Sequence, residues 1–391
     1  MTVIPTYTEL YNAVLSDLQT QMQVSIPIFG KNFLRALAAV QAGVLWVLYK
    51  ALGNVQKNIF IDTAEPEAIG GTLERFGRVK LNRDPFSARA GQYTITVTGT
   101  TGAVIPAQST FKSDDTSTSP DKLFILDTAY TLISGTDSIT VRALEAGNDS
   151  KLNIGDTLTA TAPIALVDSI ATVSAETIQP SAAENIEDYR AKALDAYRLE
   201  PQGGAATDYR LWSYDAQGVK QSYAYAKTAA VNEINLYVEA TIDDSIDGKG
   251  TPSALLLQDV EDVVEFDPDT TRPTTERGRR PLGVIVNFLP VTVINVDITI
   301  NGFIGATVAI QNAIIAALTD EINLVRPFVA ACDILDEKND ILDTNKIISI
   351  ILNTRPGSVF GTINLNVGGV PYNSYTFING NIPFVNSITF A

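Results

Sequence analysis

Histidine and cysteine, the residue types most used for nucleophilic and metal chemistry, are almost absent from this sequence. Its 391 residues include no histidine and one cysteine, Cys332. Without histidine there is no Ser-His-Asp or Cys-His pair and no His-ligated metal site, and one cysteine forms neither an intramolecular disulfide nor a thiolate cluster. Cys332 follows an apolar run, so we expect a small buried residue. The sequence predicts no catalytic residue, no cofactor and no metal.

Two short motifs could bind an ion, and each lacks a required part. Residues 243–248 resemble the opening of a calcium loop, but Ala254 stands where the loop needs a bidentate glutamate. The segment Pro201-Gln-Gly-Gly204 precedes a predicted helix, as an anion-binding nest would, but no Lys-Ser or Lys-Thr follows it. We interpret the first motif as an acidic turn before a helix and the second as a helix start.

A dense basic stretch contrasts with the acidic chain around it. Lys plus Arg number 28 and Asp plus Glu number 44, so the formal net charge is −16, which disfavours nucleic acid as a partner. The basic residues of this loop are Arg272, Arg277, Arg279 and Arg280. Two interpretations stay open. The loop docks on acidic groups of a neighbouring protein and becomes ordered only on assembly, or it is a solvated loop.

The N-terminal residues have the pattern of two helices. Thr6 and Glu9 have the spacing of a capping box, and helical spacing follows over 7–23 and 31–57. The second helix has an apolar face too wide for one partner helix to cover. We expect this face to contact another subunit, with burial inside the chain as the alternative, through Phe33, Leu37, Val40, Val44 and Val47. No uncharged apolar run approaches the roughly 20 residues that span a bilayer, so we expect no membrane insertion.

Beyond the helices, the spacing at which apolar residues recur changes twice along the chain. From Gln92 it becomes two, with short strands predicted through 174, which indicates a small antiparallel sandwich or barrel. After Pro180 an order of two helices followed by two strands occurs twice. A strand pair at 284–300 is expected to complete the first copy. The sequence therefore predicts an α+β, multidomain fold with an N-terminal helical arm (1–62), a β-rich domain with its entry segment (63–178), and two related α+β sandwich domains (179–302 and 303–391).

Several groups of residues together resemble the baseplate J family of contractile phage tails. They are Gly70-Gly-Thr-Leu-Glu-Arg-Phe-Gly77, Arg83-Asp-Pro-Phe-Ser-Ala-Arg89, Thr98-Gly-Thr-Thr-Gly-Ala-Val-Ile-Pro-Ala107, Glu184-Asn-Ile-Glu-Asp-Tyr-Arg190, Pro201-Gln-Gly-Gly-Ala-Ala-Thr-Asp-Tyr-Arg-Leu-Trp212 and Gly218-Val219. The resemblance covers about residues 60–300. The sequence departs from the family at Gln108-Ser109, where Gly-Thr is usual, and in its Arg-rich loop.

The resemblance implies a structural wedge subunit of a contractile tail baseplate, which links hub, sheath and peripheral fibre-bearing components. It implies no enzymatic activity and no catalytic residues. The expected partners are other wedge subunits, a second copy of the chain, and hub and sheath-proximal proteins, but neither nucleic acid nor a membrane. The expected location is the tail baseplate of the virion, with assembly in the host cytoplasm.

Two alternatives belong to other classes of protein. The Thr- and Asn-rich β region and the aromatic stretch from Tyr372 to Phe377 are compatible with a carbohydrate-binding surface module. The many carboxylates leave a glycoside hydrolase as a remote third possibility, since such enzymes work with a pair of acidic side chains.

Overall fold

A computed structural model describes residues 4–23, 33–228, 230–305 and 307–391. The expected helix start at 31 lies outside these ranges. The chain divides into two compact units, one formed by Met1–Asp84 with Tyr189–Tyr197 and the other by Pro85–Asp188 with Arg198–Ala391. The molecule is mixed α+β, with an N-terminal helical region and a closed barrel.

The first unit is helical. It contains α1 (Tyr7–Met22), α2 (Phe33–Lys57), α3 (Leu73–Lys80) and most of α4 (Ile186–Arg198). The capping box is present, because the Thr6 side chain accepts from the Glu9 amide and the Glu9 carboxylate accepts from the Thr6 amide. α1 packs on α2, and Gly77 of α3 leaves room for the ring of Tyr189 on α4.

The β-rich part of the second unit is a closed six-stranded barrel, which confirms one of the two expected architectures. Its strand order is β1-β6-β4-β3-β7-β8, and every neighbouring pair is antiparallel. Tyr93, Ile95 and Val97 alternate into the core. A separate short pair joins β2 to β5. The strands are β1 (Gln92–Thr98), β2 (Val104–Ile105), β3 (Thr110–Ser113), β4 (Leu123–Ile125), β5 (Tyr130–Thr131), β6 (Thr136–Ala143), β7 (Thr157–Ala160) and β8 (Ile170–Ile178).

A three-stranded sheet follows the barrel. Its order is β11-β10-β9, with β10 antiparallel to β9 and parallel to β11. Helices α5 and α6 pack against this sheet, and apolar side chains of both layers form one core. The elements are α5 (Ala206–Ser213), β9 (Val219–Ala226), β10 (Glu233–Ala240), α6 (Ala254–Glu265) and β11 (Ile285–Pro290).

The C-terminal part is a four-stranded sheet with the order β15-β14-β12-β17. Helices α7 and α8 contribute to its core. β13 and β16 form a separate, antiparallel two-stranded sheet. The elements are β12 (Thr292–Ile300), α7 (Val308–Ile322), β13 (Ile341–Asp343), α8 (Thr344–Thr354), β14 (Ile363–Val367), β15 (Val370–Tyr372), β16 (Ser374–Thr376) and β17 (Asn381–Phe390).

The structure corrects one expected strand pairing. β11 and β12 were expected to complete the first α+β copy together, but β12 pairs with β14 and β17 at the centre of the last sheet. Pro290 is the last residue of β11, and β12 begins at Thr292 in a different sheet. The first copy has the order α4, α5, β9, β10, whereas in the second β13 lies between α7 and α8. In addition, β10 is central in its sheet whereas β15 is at an edge. The relatedness of the two copies and the four-part layout stay predictions.

Candidate assembly surface

Helix α2 has two faces of opposite burial. Ala38 and Ala42 are fully buried on the face toward α1, where the Tyr7 hydroxyl also donates to the Ala39 carbonyl at 3.3 Å. Leu10 of α1 is buried as well. Small alanine side chains let the two helices approach closely, so α1 fully covers this side of α2.

The opposite face of α2 is open. Phe33 is 77 % exposed, Val40 and Val44 are each 65 % exposed and Val47 is 62 % exposed, while Leu37 is half-buried. The same helix exposes further large apolar side chains. We call the exposed set the open face of α2; it consists of Phe33, Val40, Val44, Val47, Leu48, Leu52 and Val55. The structure thus brings the five residues expected from the sequence onto one helix and leaves four of them exposed.

Among the described residues, α2 is also the one helix long and apolar enough to cross a bilayer, with a mean hydropathy of 1.5 and 11 % of that stretch buried. Length and composition are all that this observation rests on. Arg35 and Lys50 lie inside the helix, and the uncharged segment 36–49 between them is shorter than the roughly 20 residues that a bilayer requires.

The arginines of the Arg-rich loop were expected to be available to another protein, but their guanidinium groups have partners within the chain. Arg279 contacts Asp215 at 2.7 Å and Asp267 at 3.3 Å, and Arg280 contacts Glu265 at 2.6 Å. Although burial acts to raise it, the pKa of Asp267 is lowered by the Asp269 amide and the Arg279 guanidinium. Both arginines therefore have ion-pair partners within the chain.

The other two arginines of the loop also have partners in the same chain. Arg272 lies 3.3 Å from Asp269, and Arg277 donates to the Asp267 carbonyl at 2.7 Å. The loop includes a short 3-10 helix at Thr274–Glu276. These contacts are local, because the carboxylates at the start of the loop neutralise the arginines at its end. Docking of the loop on a neighbouring subunit stays a prediction.

The possible anion nest at Pro201–Gly204 is filled by the protein itself. The Asp208 carboxylate accepts hydrogen bonds from the amides of Gln202 at 2.9 Å, Gly204 at 2.5 Å and Ala205 at 3.0 Å. These amides would have bound an anion, so the helix-start interpretation agrees with the geometry.

The acidic motif at 243–248 is a turn. One Asp247 oxygen accepts from the Lys249 amide at 2.9 Å, and the other accepts from the Thr251 hydroxyl at 2.6 Å. Ser253 then caps α6 by accepting from the Leu256 amide. In the described part of the chain, no group of three His, Cys, Asp or Glu residues is placed to hold a metal ion.

A buried ionic network lies away from these motifs, and the sequence did not indicate it. Glu239 of β10 is 1 % exposed and contacts Arg326 and Lys220, each at 3.0 Å. The Tyr223 hydroxyl donates to the same carboxylate at 2.5 Å. Burial opposes ionisation of Glu239, yet Arg326 and Lys220 hold its pKa below the ordinary value. All four groups neutralise or saturate one another, which is typical of structural support rather than of catalysis.

The C-terminal aromatic stretch does not form an open platform for a sugar. The Tyr375 ring lies 5.1 Å from Tyr372 and 4.9 Å from Phe377, in edge-to-face contacts. Phe377 is fully buried in the core of the last sheet. These rings therefore pack on one another, and the carbohydrate-binding alternative loses one of the two features that suggested it.

The barrel is the part of the chain that matches a known family model. Residues 94–179, which include nearly the whole closed barrel, match the family described as the baseplate J-like protein barrel domain. The barrel of this chain is thus similar to the barrel domain of baseplate J-like proteins.

A relative among known proteins agrees with that class. The chain is 25 % identical over 222 residues to the baseplate protein gp47 of Escherichia phage Mu. The alignment covers 56 % of this chain and spans 59 % of the length of that relative. A solved structure that covers the whole chain is the cryo-EM structure of the anti-feeding prophage (AFP) baseplate, 6-fold symmetrised, at 10 % identity and a TM-score of 0.40.

Proposed function

We propose that this chain is a structural wedge subunit of a contractile phage tail baseplate. It is a virion protein of the tail baseplate, and it links hub, sheath and peripheral fibre-bearing components. Its neighbours are other wedge subunits, among them a second copy of the chain, and hub and sheath-proximal proteins. The barrel match and the Mu relative support the baseplate location.

The open face of α2 is the observation that carries this proposal. A soluble protein seldom leaves a continuous row of large apolar side chains in water, because burying apolar surface stabilises by about 25 cal/mol per Å². α1 covers only the side with Ala38 and Ala42. The remaining side is completed by helices of adjacent subunits, which together with α1 and α2 form an inter-subunit bundle.

Two matched double variants test the bundle. In Val44→Asp with Val47→Asp, two exposed apolar residues of the open face become acidic. In Ala36→Asp with Asn54→Asp, two exposed residues on the flank of the same helix receive the same charges. We expect both chains to fold, since none of the four positions is buried. Only the first should fail to enter tails, because an unpaired charge buried in an interface costs several kcal/mol.

The measurement is incorporation of each variant into purified tails, followed by vesicle flotation of the isolated chains. Normal incorporation of the Val44 and Val47 variant would sink the bundle proposal. Flotation of the parent with lipid vesicles, lost in that variant, would instead assign the open face to a bilayer.

A further inference from the structure

A cleft lies in the C-terminal sheet, at the place where β15 leaves β14. The last residue pair between these strands is Leu365 with Tyr372, and the chain then turns away at Asn373. The cleft has a volume of about 440 Å³, which is within the range of small-molecule sites. None of the residues that line it is charged, although the whole chain has a net charge of −16.

Three asparagines line the cleft with side chains that no other residue uses. They are Asn364 and Asn366 of β14 and Asn373. Within the described part of the chain, their carboxamides form no hydrogen bond. Asn386 in the same sheet differs, because its side chain donates to the Asp297 carboxylate at 2.7 Å. The cleft therefore offers several donors and acceptors to a ligand.

Strand β14 holds two of these asparagines on one face. Its sequence is Ile-Asn-Leu-Asn-Val, although asparagine is depleted in strands. Alternate residues of a strand share a face, so both carboxamides lie opposite the core residue Leu365. Thr299 of β12 pairs with Asn364, and Pro371 of β15 pairs with Asn366. Residues that oppose the local propensity of their element are typical of functional surfaces.

Tyr372 forms an apolar wall of the cleft. Its side chain is 38 % exposed, and an edge-to-face contact with Tyr375, at 5.1 Å between ring centres, fixes the ring. The ring is therefore not a flat platform, but its exposed part lies beside the three carboxamides. An apolar wall with a few fixed polar groups is the usual composition of a small-ligand site.

The chemistry of the cleft favours a neutral ligand with many hydroxyl groups. A carboxamide both donates and accepts, and so does a sugar hydroxyl, so each asparagine can pair with either role of that group. A charged ligand would bring its charge to a cleft without any counter-ion, which is unfavourable. The apolar face of a sugar ring matches the wall formed by Tyr372.

An extended peptide fits the cleft less well. A peptide that adds to a sheet edge needs a run of free backbone groups, and strands are usually about 3–10 residues long. β14 begins at Ile363 and is paired with β15 from Leu365 onward. Only Ile363 and Asn364 have an open side there, which is too short for strand addition.

We infer that this cleft binds a neutral sugar, whose hydroxyl groups pair with the three asparagines and whose apolar face lies on Tyr372. This binding goes beyond the proposed function, because the wedge role rests on the open face of α2 and not on the C-terminal sheet.

The test applies the full chain to an array of oligosaccharides. Some members consist of neutral hexoses and N-acetylhexosamines, and others contain uronic or sialic acid. We expect binding to neutral members of the array. Titration calorimetry then gives the dissociation constant of the neutral oligosaccharide that binds most strongly.

Two variants separate the cleft from the rest of the sheet. Asn364→Ala with Asn373→Ala removes two exposed carboxamides from the cleft and should weaken binding about tenfold, because two hydrogen bonds are lost. Asn295→Ala is the control. It removes an exposed carboxamide of β12 that does not line the cleft, and the dissociation constant should stay the same. Circular dichroism checks that both variants are folded.

Three results would overturn the inference. They are a parent chain that binds no neutral oligosaccharide, binding to the acidic members alone, and equal dissociation constants for the cleft variant and the control. A hexapeptide of threonine and asparagine that binds the parent in place of any sugar would assign the cleft to a peptide chain. All of these results are read on the isolated chain, so they are independent of whether it enters tails.

Discussion

Arg326 binds the carboxylate of Glu239 in a bidentate ion pair, although the two residues are 87 positions apart in the sequence. The Arg326 Nε atom lies 3.1 Å from Oε1 and 3.0 Å from Oε2, and Nη2 lies 3.0 Å from Oε1. Glu239 belongs to β10 of the three-stranded sheet, whereas Arg326 follows α7 of the C-terminal part. The pair thus ties together two regions with separate hydrophobic cores.

Removing the charge of Glu239 is expected to destabilise the second unit. In Glu239→Gln, Arg326 stays buried without its counter-ion, and breaking a buried pair from one side costs about 3 kcal/mol. Urea unfolding of the isolated chain measures this difference. Glu233→Gln is a suitable control, because it removes a carboxylate from the same strand where its partner Lys227 is exposed. Equal midpoints for the two variants would contradict a supporting role for the network.

The same pair predicts how stability depends on pH. The pKa of Glu239 is lowered in the folded protein from its ordinary value of 4.5. The unfolded chain therefore binds the proton more tightly, so this contribution is present above pH 4.5 and is lost as the pH falls through the folded value. The parent should lose more stability than Glu239→Gln between pH 5 and pH 3.

Arg279 is expected to stabilise the isolated chain. Its side chain is 17 % exposed and Asp215 is 12 % exposed, so Arg279→Ser removes a largely buried cation from beside two acidic groups, Asp215 and Asp267. The loss should be about 2 kcal/mol. Arg272→Ser in the same loop removes an exposed guanidinium and should change stability little. Thermal melting of both variants decides the matter, and an unchanged midpoint for Arg279→Ser would restore the view of a free, solvated loop.

Glu176 is expected to oppose folding at neutral pH. Burial raises its pKa above 4.5, and its Oε1 atom has no hydrogen-bond partner. The native state then binds the proton more tightly than the unfolded state, so the cost is absent at low pH and grows as the pH rises through the folded value. Glu176→Gln should raise the melting temperature by about 2 °C at pH 7 and by less at pH 4. A variant that melts earlier than the parent at pH 7 would show that the ionised form is favoured.

The helices and barrel strands could be predicted because their signals are local. Alternation from Gln92 reflects one buried face of each strand, and apolar spacing in α2 reflects one open and one covered face. Strand partners could not be predicted in this way. The sequence of β12 has the period of a strand whichever sheet it joins, and its pairing with β17 is a long-range choice.

The candidate contacts were predictable only in part for the same reason. The open face of α2 could be predicted because all of its residues lie in one helix. The arginines at 272–280, in contrast, appeared free because their partners Asp215 and Glu265 lie earlier in the chain. Proximity created by folding decides whether a charged residue is available to a neighbour.

The last prediction compares two helical glycines of the first unit. A Cβ atom at Gly77 of α3 would lie 1.9 Å from the Tyr189 hydroxyl, whose hydrogen bond to the Arg83 carbonyl is 2.8 Å long. Gly77→Ala therefore forces Tyr189 and α4 away, and overpacking of this kind costs about 1–3 kcal/mol.

Gly43 of α2 provides the control, since nothing lies within 4 Å of its would-be Cβ. Gly43→Ala should stabilise the helix by up to about 1 kcal/mol, because alanine loses less backbone entropy than glycine. Limited proteolysis of the first unit, read as the cleavage rate within residues 58–84, should increase for Gly77→Ala and not for Gly43→Ala. If the two variants resist the protease equally, the close approach of α3 and α4 does not contribute to the stability of this unit.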